Sequence, residues 1–230
     1  MKKILIPVLF SLTCSFIMAQ TVKMEVDTDT TTSKNYGPNQ RNFIHTYFSY
    51  GFIPMTGQNG ALTEPLKNFN IVIGVRYKRK WSKIFSNGID LAYQNQIFSL
   101  KQTTGKILPD TMINEKESLL SYSFLADVFQ RFNFGNRGDV VGTFLDIGAG
   151  FNFLVTMQHE TVNTLSSGIV LTKNEKNLPY NQNNYFHLLA RFGYNRWILS
   201  AQYRLNPLIN QNYGYPDLPP LSISFQIGLY

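Results

Sequence analysis

Chemistry in this chain rests on seven charged residues, Arg76, Asp90, Asp127, Arg131, Asp146, Arg191 and Arg204, and on three histidines, His45, His159 and His187. Each of the seven charges falls in a segment where polar and apolar residues alternate, and each takes the polar side. Four guanidiniums and three carboxylates at this spacing can pair across neighbouring strands. Left unpaired in a buried site, one member would cost about 3–5 kcal/mol. The histidines offer general-base chemistry near neutral pH. His159, beside Glu160 and close in sequence to Ser166 and Ser167, is the best candidate for a His–Ser–acid hydrolytic group. No nucleophile signature surrounds either serine. No pair or triad has metal-ligand spacing, and there is no phosphate-binding glycine loop or EF-hand pattern. The chain therefore reads as non-enzymatic, with no catalytic, cofactor-binding or metal residue assigned and no cofactor expected.

A second concentration of charge is Lys78, Arg79 and Lys80 with Lys83, four cations in six residues. No nucleic-acid recognition motif accompanies them, so nucleic acid is not an expected partner. A basic rim facing anionic lipid headgroups is the simpler reading. A periplasmic protein docking on that rim is a further expectation.

The elements that carry these residues alternate with period two, the mark of strands with one wet face and one dry face. Eight such segments are expected, at residues 42–54, 68–77, 89–100, 118–132, 140–157, 185–194, 197–206 and 221–230. In the second, Phe69, Ile71, Ile73, Val75 and Tyr77 oppose Asn70, Gly74 and Arg76. In the fifth, Leu145, Ile147, Ala149, Phe151 and Phe153 oppose Asp146, Gly148, Gly150 and Asn152. Segments of about ten residues match a tilted membrane strand. With charges on one face and apolar residues on the other, closure into a cylinder puts the charges inside and the apolar residues against lipid. His45 and His187 fall on the inward face.

The connections alternate in length: long at 55–67, shorter at 78–88, long at 102–117, short at 133–139, long at 158–184, two residues at Asn195-Arg196, long at 207–220. Membrane barrels keep short turns in the periplasm and long loops outside. The 158–184 loop, as the longest, is the expected contact surface. Tyr77, Trp81, Phe85, Phe132, Phe134, Tyr194, Trp197 and Tyr230 gather at the short-turn end, where a girdle of amphipathic rings belongs at headgroup depth. The short turns carry Lys78, Arg79, Lys80, Lys83, Arg137 and Arg196 against Asp139, a net of +5, whereas the long loops, counted with Lys101, sum to −1.

The compartment follows from the start of the chain. Met1-Lys2-Lys3 precedes an apolar run at 4–18 and then Ala19-Gln20, the pattern of a secretory signal peptide cleaved after Ala19. The only cysteine, Cys14, lies in that run, so the mature chain would hold no disulfide. Residues 20–41 are polar and Thr-rich and read as a disordered periplasmic tail. No later stretch is long and apolar enough for a membrane helix, although the chain carries 18 Phe and 13 Tyr with only 15% charged residues. An exported chain of this composition fits an outer-membrane barrel.

The strand count, the loop alternation and the terminal run LSISFQIGLY at 221–230 resemble the small eight-stranded outer-membrane barrels of the OmpA/OmpX-like kind, and within them the PorT-like outer membrane beta-barrel domain family. Tyr230 departs from the usual terminal signal, being out of phase with Phe225, Ile227 and Leu229. The resemblance implies one all-β, antiparallel, up-and-down transmembrane β-barrel over 42–230, with short periplasmic turns and long extracellular loops. It also implies location in the outer membrane of a Gram-negative cell and insertion by the barrel assembly machinery. Outer-membrane lipids are the expected surroundings, and an outer-membrane or periplasmic protein the expected partner; PorT-like proteins are linked to a secretion system. The function expected is that of a structural or binding component with a polar-plugged lumen. A lipid-modifying hydrolase, a narrow pore and a secreted lipocalin-like binder are the alternatives.

Overall fold

The computed structural model describes residues 36–58, 60–135 and 138–230. The expected signal peptide, Cys14, most of the expected tail and Arg137 lie outside the described residues.

Among the described residues nine strands follow one another: β1 (Asn42–Phe52), β2 (Phe69–Lys80), β3 (Phe85–Ser99), β4 (Lys116–Phe134), β5 (Thr143–Thr164), β6 (Val170–Lys176), β7 (Asn184–Tyr194), β8 (Trp197–Arg204) and β9 (Leu221–Leu229). Two single 3-10 turns lie in the connections, and there is no α-helix among the described residues. Every pairing between these strands is antiparallel. β1 pairs with both β2 and β9, and β5 with both β4 and β7, so eight strands close into a ring and only β6 stands outside it.

The ring is staggered. The row of register partners leaving β4 at Arg131 passes through Asp146, Arg191, Ser200, Ser224, Gly51, Asn70 and Gln96. It returns to β4 at Ser121, ten residues from its start (131 − 121). A stagger of that size over eight strands tilts them by about 40° and leaves an interior that side chains can just fill.

Burial alternates along the strands, as in β1, where Phe43, His45, Tyr47, Ser49 and Gly51 are buried and every second residue from Ile44 to Phe52 is exposed. From one end to the other the interior is layered. At the end with the short turns, Phe43, Val141, Phe144 and Ile198 form an apolar plug. The charged residues come next. Above them lies a layer of amides, in which Gln94 donates to Asn70 and Gln202 at 3.0 and 2.9 Å and Asn152 donates to Gln94 at 2.7 Å. An apolar lid closes the far end: Phe98, Leu119, Leu154 and Met157 from the strands meet Ala61, Leu108, Leu178, Leu208, Ile209 and Leu218 from the long connections.

Several expectations are corrected here. The 158–184 segment is not a loop: β5 runs on to Thr164 and pairs with β6 as a hairpin beyond the ring. Its pattern concealed this because β5 bulges opposite Tyr122 and Ser123, where Thr156 and Leu154 are the partners and Val155 is left over. One extra residue turns the following side chains to the other face. The other long connections do not stand free either, since their Ala61, Leu108, Leu208, Ile209 and Leu218 fold back into the lid. Lys78, Arg79 and Lys80 are strand residues, because β2 continues to Lys80 and the turn is only 81–84. Residues 36–41, assigned to the tail, are tied to the ring: Tyr36 donates to Ile44 O at 3.1 Å, and the Pro38 carbonyl accepts from Lys78.

Candidate functional site

The mid-interior is built by register. Arg76 of β2 lies opposite Asp90 of β3, Asp90 opposite Asp127 of β4, Arg131 of β4 opposite Asp146 of β5, and Asp146 opposite Arg191 of β7. Neighbouring inward positions on antiparallel strands are close enough to pair directly. Arg76 grips Asp90 through Nε and Nη2 at 2.8 and 3.0 Å, and Arg131 grips Asp146 in the same two-pronged way at 2.7 and 2.8 Å. Such bidentate pairs are strong and directional.

Asp90 and Asp127 face each other, which alone would be repulsive. Arg191 resolves it, reaching Asp90 at 2.5 Å, Asp127 at 2.9 Å and Asp146 at 3.8 Å. His187 adds a contact to Asp127 at 2.9 Å. Three guanidiniums thus meet three carboxylates, with formal charges that cancel. The same three arginines ring Phe129, at 5.7, 5.6 and 5.3 Å from its centroid. Gly150 makes the Asp127–His187 contact feasible, since a Cβ there would stand 2.1 Å from the Asp127 carboxylate and 2.6 Å from the imidazole. A cavity of about 20 Å³ beside Arg191 is the size of a single water site.

Six of the seven expected lumen charges are therefore brought together. The seventh is not: Arg204 turns to the loop end, donating to Asp217 at 2.8 Å and to Leu218 O at 2.6 Å. Asp217 was legible only as a loop carboxylate. His45 is buried elsewhere, stacked on Phe43 at the turn end.

The girdle residues divide. Trp81, Tyr194 and Trp197 are exposed, and Tyr77 and Phe132 are half-buried, Tyr77 donating to Asn42 at 2.8 Å. Tyr230 is not on the wall: its ring packs edge-on against Phe43 and His45 and sits over Gly228, so it helps plug the interior. The phase of the final residue already pointed this way. Of the rim, Lys78 is fully buried with its ammonium on Pro38 O, so it is not a solvated turn residue. Lys80 donates to Asn39 O at 2.9 Å, Arg79 lies 4.6 Å over the Trp81 ring, and Lys83 is exposed.

A second cluster escaped sequence reasoning. At the loop end Glu117 accepts from His159 at 2.7 Å and from buried Lys106, Gln102 and Asn114. The β5 bulge is what turns His159 inward. Its sequence neighbour Glu160 takes the other face, and β5 continues five residues further before the turn that holds Ser166 and Ser167. At strand rise that separation is about 16 Å, so the hydrolytic grouping is not assembled. Among the described residues no group of three His, Cys, Asp or Glu side chains could hold a metal ion.

Beside Glu117 the outer face carries Lys116, Ser118 and Glu160, which places this cluster above the apolar band. Burial pushes the Glu117 carboxyl up, but the hydrogen bonds from His159, Lys106, Asn114 and Gln102 outweigh it and hold the group at about 2, against an ordinary 4.5. A depressed acid stabilises fully above its ordinary value and loses that contribution as pH falls towards the lowered one. Between pH 4.5 and 2 the 101–115 connection is expected to become progressively sensitive to an acid-active protease. A Glu117→Gln variant should show a raised, flat cleavage rate across that window; a rate identical to wild type would count against the latch.

No protein-family model matches the chain, and no curated protein is significantly similar to it.

Proposed function

We propose that the chain is a non-enzymatic outer-membrane β-barrel with a closed interior, a structural or binding component that presents its loop end outside the cell and its short turns to the periplasm. The observation that carries this reading is the inverted distribution of polarity. Arg76, Asp90, Arg131 and Asp146 are at most 1% exposed, whereas Ile73, Leu91, Val128 and Leu199 are at least 56% exposed. In water an apolar wall of that extent would drive aggregation; in hydrocarbon it is the stable surface. The closed ring leaves no unpaired strand edge at bilayer depth, as a lipid environment requires.

The interior supports a plug. Apolar layers at both ends enclose a neutral salt-linked layer, so an ion would have to displace packed side chains to cross. At the loop end the β5–β6 hairpin carries exposed Leu165, Ile169, Val170 and Leu171, a contact surface for a partner of the secretion-linked or assembly type implied by the PorT-like resemblance. Insertion would use the barrel assembly machinery.

Two measurements test this. The protein is expected to stay in the membrane pellet after carbonate and urea extraction and to need detergent for release. In a planar bilayer the purified protein is expected to pass no steady current. Recovery of freely dissolved protein would overturn the membrane reading, and stable conductance would overturn the plug.

A further inference from the structure

On the outer wall at the turn end, an open groove of about 690 Å³ crosses β2, β3, β4 and β5. Its floor is one row of register partners, Tyr77, Ile89, Val128 and Ala149. Ala149 is the smallest outward residue in its part of β5, between Ile147 and Phe151, and opens the row at that point. Gly88 and Gly148 line the groove with backbone only. One step nearer the turn the lining becomes polar, with Arg79 and Asn87 facing each other. Trp81 forms the wall at the turn end, its indole Nε1 donating to Asn87 at 2.6 Å.

Arg79 distinguishes this groove from ordinary apolar wall. It is half-buried and lies 4.6 Å over the Trp81 ring, and it makes no ion pair with any described carboxylate. The other arginines of the ring, Arg76, Arg131, Arg191 and Arg204, all have carboxylate partners. An oriented guanidinium without a counter-ion among the described residues, set at the depth of Tyr77, Trp81, Tyr194 and Trp197, is complementary to one negative charge in the headgroup region. Farther from the turn the apolar row would take an acyl chain. We propose that this groove is a binding site for an anionic glycerophospholipid, the phosphate on Arg79 and one acyl chain along Ile89, Val128 and Ala149. The inference rests on the membrane reading above.

Trp81 reports occupancy if Trp197 is replaced, since the chain has two tryptophans. In a Trp197→Phe background, refolded protein in micelles is titrated with phosphatidylglycerol or phosphatidylcholine carrying brominated acyl chains. Phosphatidylglycerol is expected to quench Trp81 at about fivefold lower concentration, the factor for one guanidinium near an anionic headgroup. Arg79→Gln should abolish that preference while both lipids still quench, and Ala149→Phe should weaken both. An unchanged preference in Arg79→Gln, or equal quenching of the parent by both lipids, overturns the site. Flotation with phosphatidylcholine vesicles separates the two levels: a protein that floats without lipid preference keeps the membrane reading and loses the groove. A protein that neither floats nor is quenched loses both.

Discussion

Asp90→Ala is expected to destabilise the folded protein by about 3–5 kcal/mol, the range for removing one partner from a buried ionic network. Asp90 is completely buried and holds Arg76 through two hydrogen bonds and Arg191 through a third contact. Without it three guanidiniums face two carboxylates, and all five groups are buried. Arg76 keeps only Gln226, at 3.1 Å, as a hydrogen-bonding partner. Asp90→Asn preserves shape and removes charge, so its loss should fall between those of wild type and Asp90→Ala. Asp217→Ala is the informative comparison, because its arginine sits at the loop end and retains the Leu218 carbonyl at 2.6 Å. Denaturant unfolding of vesicle-refolded protein, followed by tryptophan fluorescence, reads all three. A loss below about 1 kcal/mol for Asp90→Ala would mean that water reaches the layer, and the plug would have to be abandoned.

Leu91→Arg, one residue along β3 but on the opposite face, is expected to cost about 2–4 kcal/mol in a bilayer. Leu91 is 61% exposed, near the middle of β3, in a row with Val75 and Ala126. For a protein dissolved in water, an exposed substitution of this kind stays within about 0.5 kcal/mol. The two solvents therefore predict different results from one change. Unfolding of Leu91→Arg in vesicles, set beside wild type, decides between them. Equal stabilities would remove the membrane reading, whatever the interior does.

Together these neighbours explain how much was legible beforehand. Asp90 and Leu91 differ by one position, and in a strand one position is the whole difference between inside and outside. Because the period is two, the face of each charge could be read wherever the alternation was unbroken, and Arg76, Asp90, Asp127, Arg131, Asp146 and Arg191 all lie in such stretches. The bulge at Val155 broke it. Past that point the period continues with its phase reversed, which turns His159 towards Glu117 instead of leaving it in a loop with Ser166 and Ser167. Nothing local marks the bulge; it is set by how β5 lies on β4. The cations of β2 were misjudged for a related reason. Lys78 is charged and sits near a turn, which suggested solvent, yet its position continues the inward phase of Arg76. The carbonyl of Pro38 that accepts from it is forty residues away.

Alternation along the chain by itself determined that there would be strands, how many would form the ring, and which face the side chains take wherever the period is unbroken, because those follow from a period repeated over ten residues. Partner choice was decided only in three dimensions. That Arg191 bridges Asp90, Asp127 and Asp146, that Arg204 leaves them for Asp217, and that Leu108, Leu178, Leu208 and Leu218 of the connections pack against the strand residues all depend on the stagger of the ring. Stagger is a property of closure: it fixes which residues of strands far apart in sequence share a level, and no single strand carries that information.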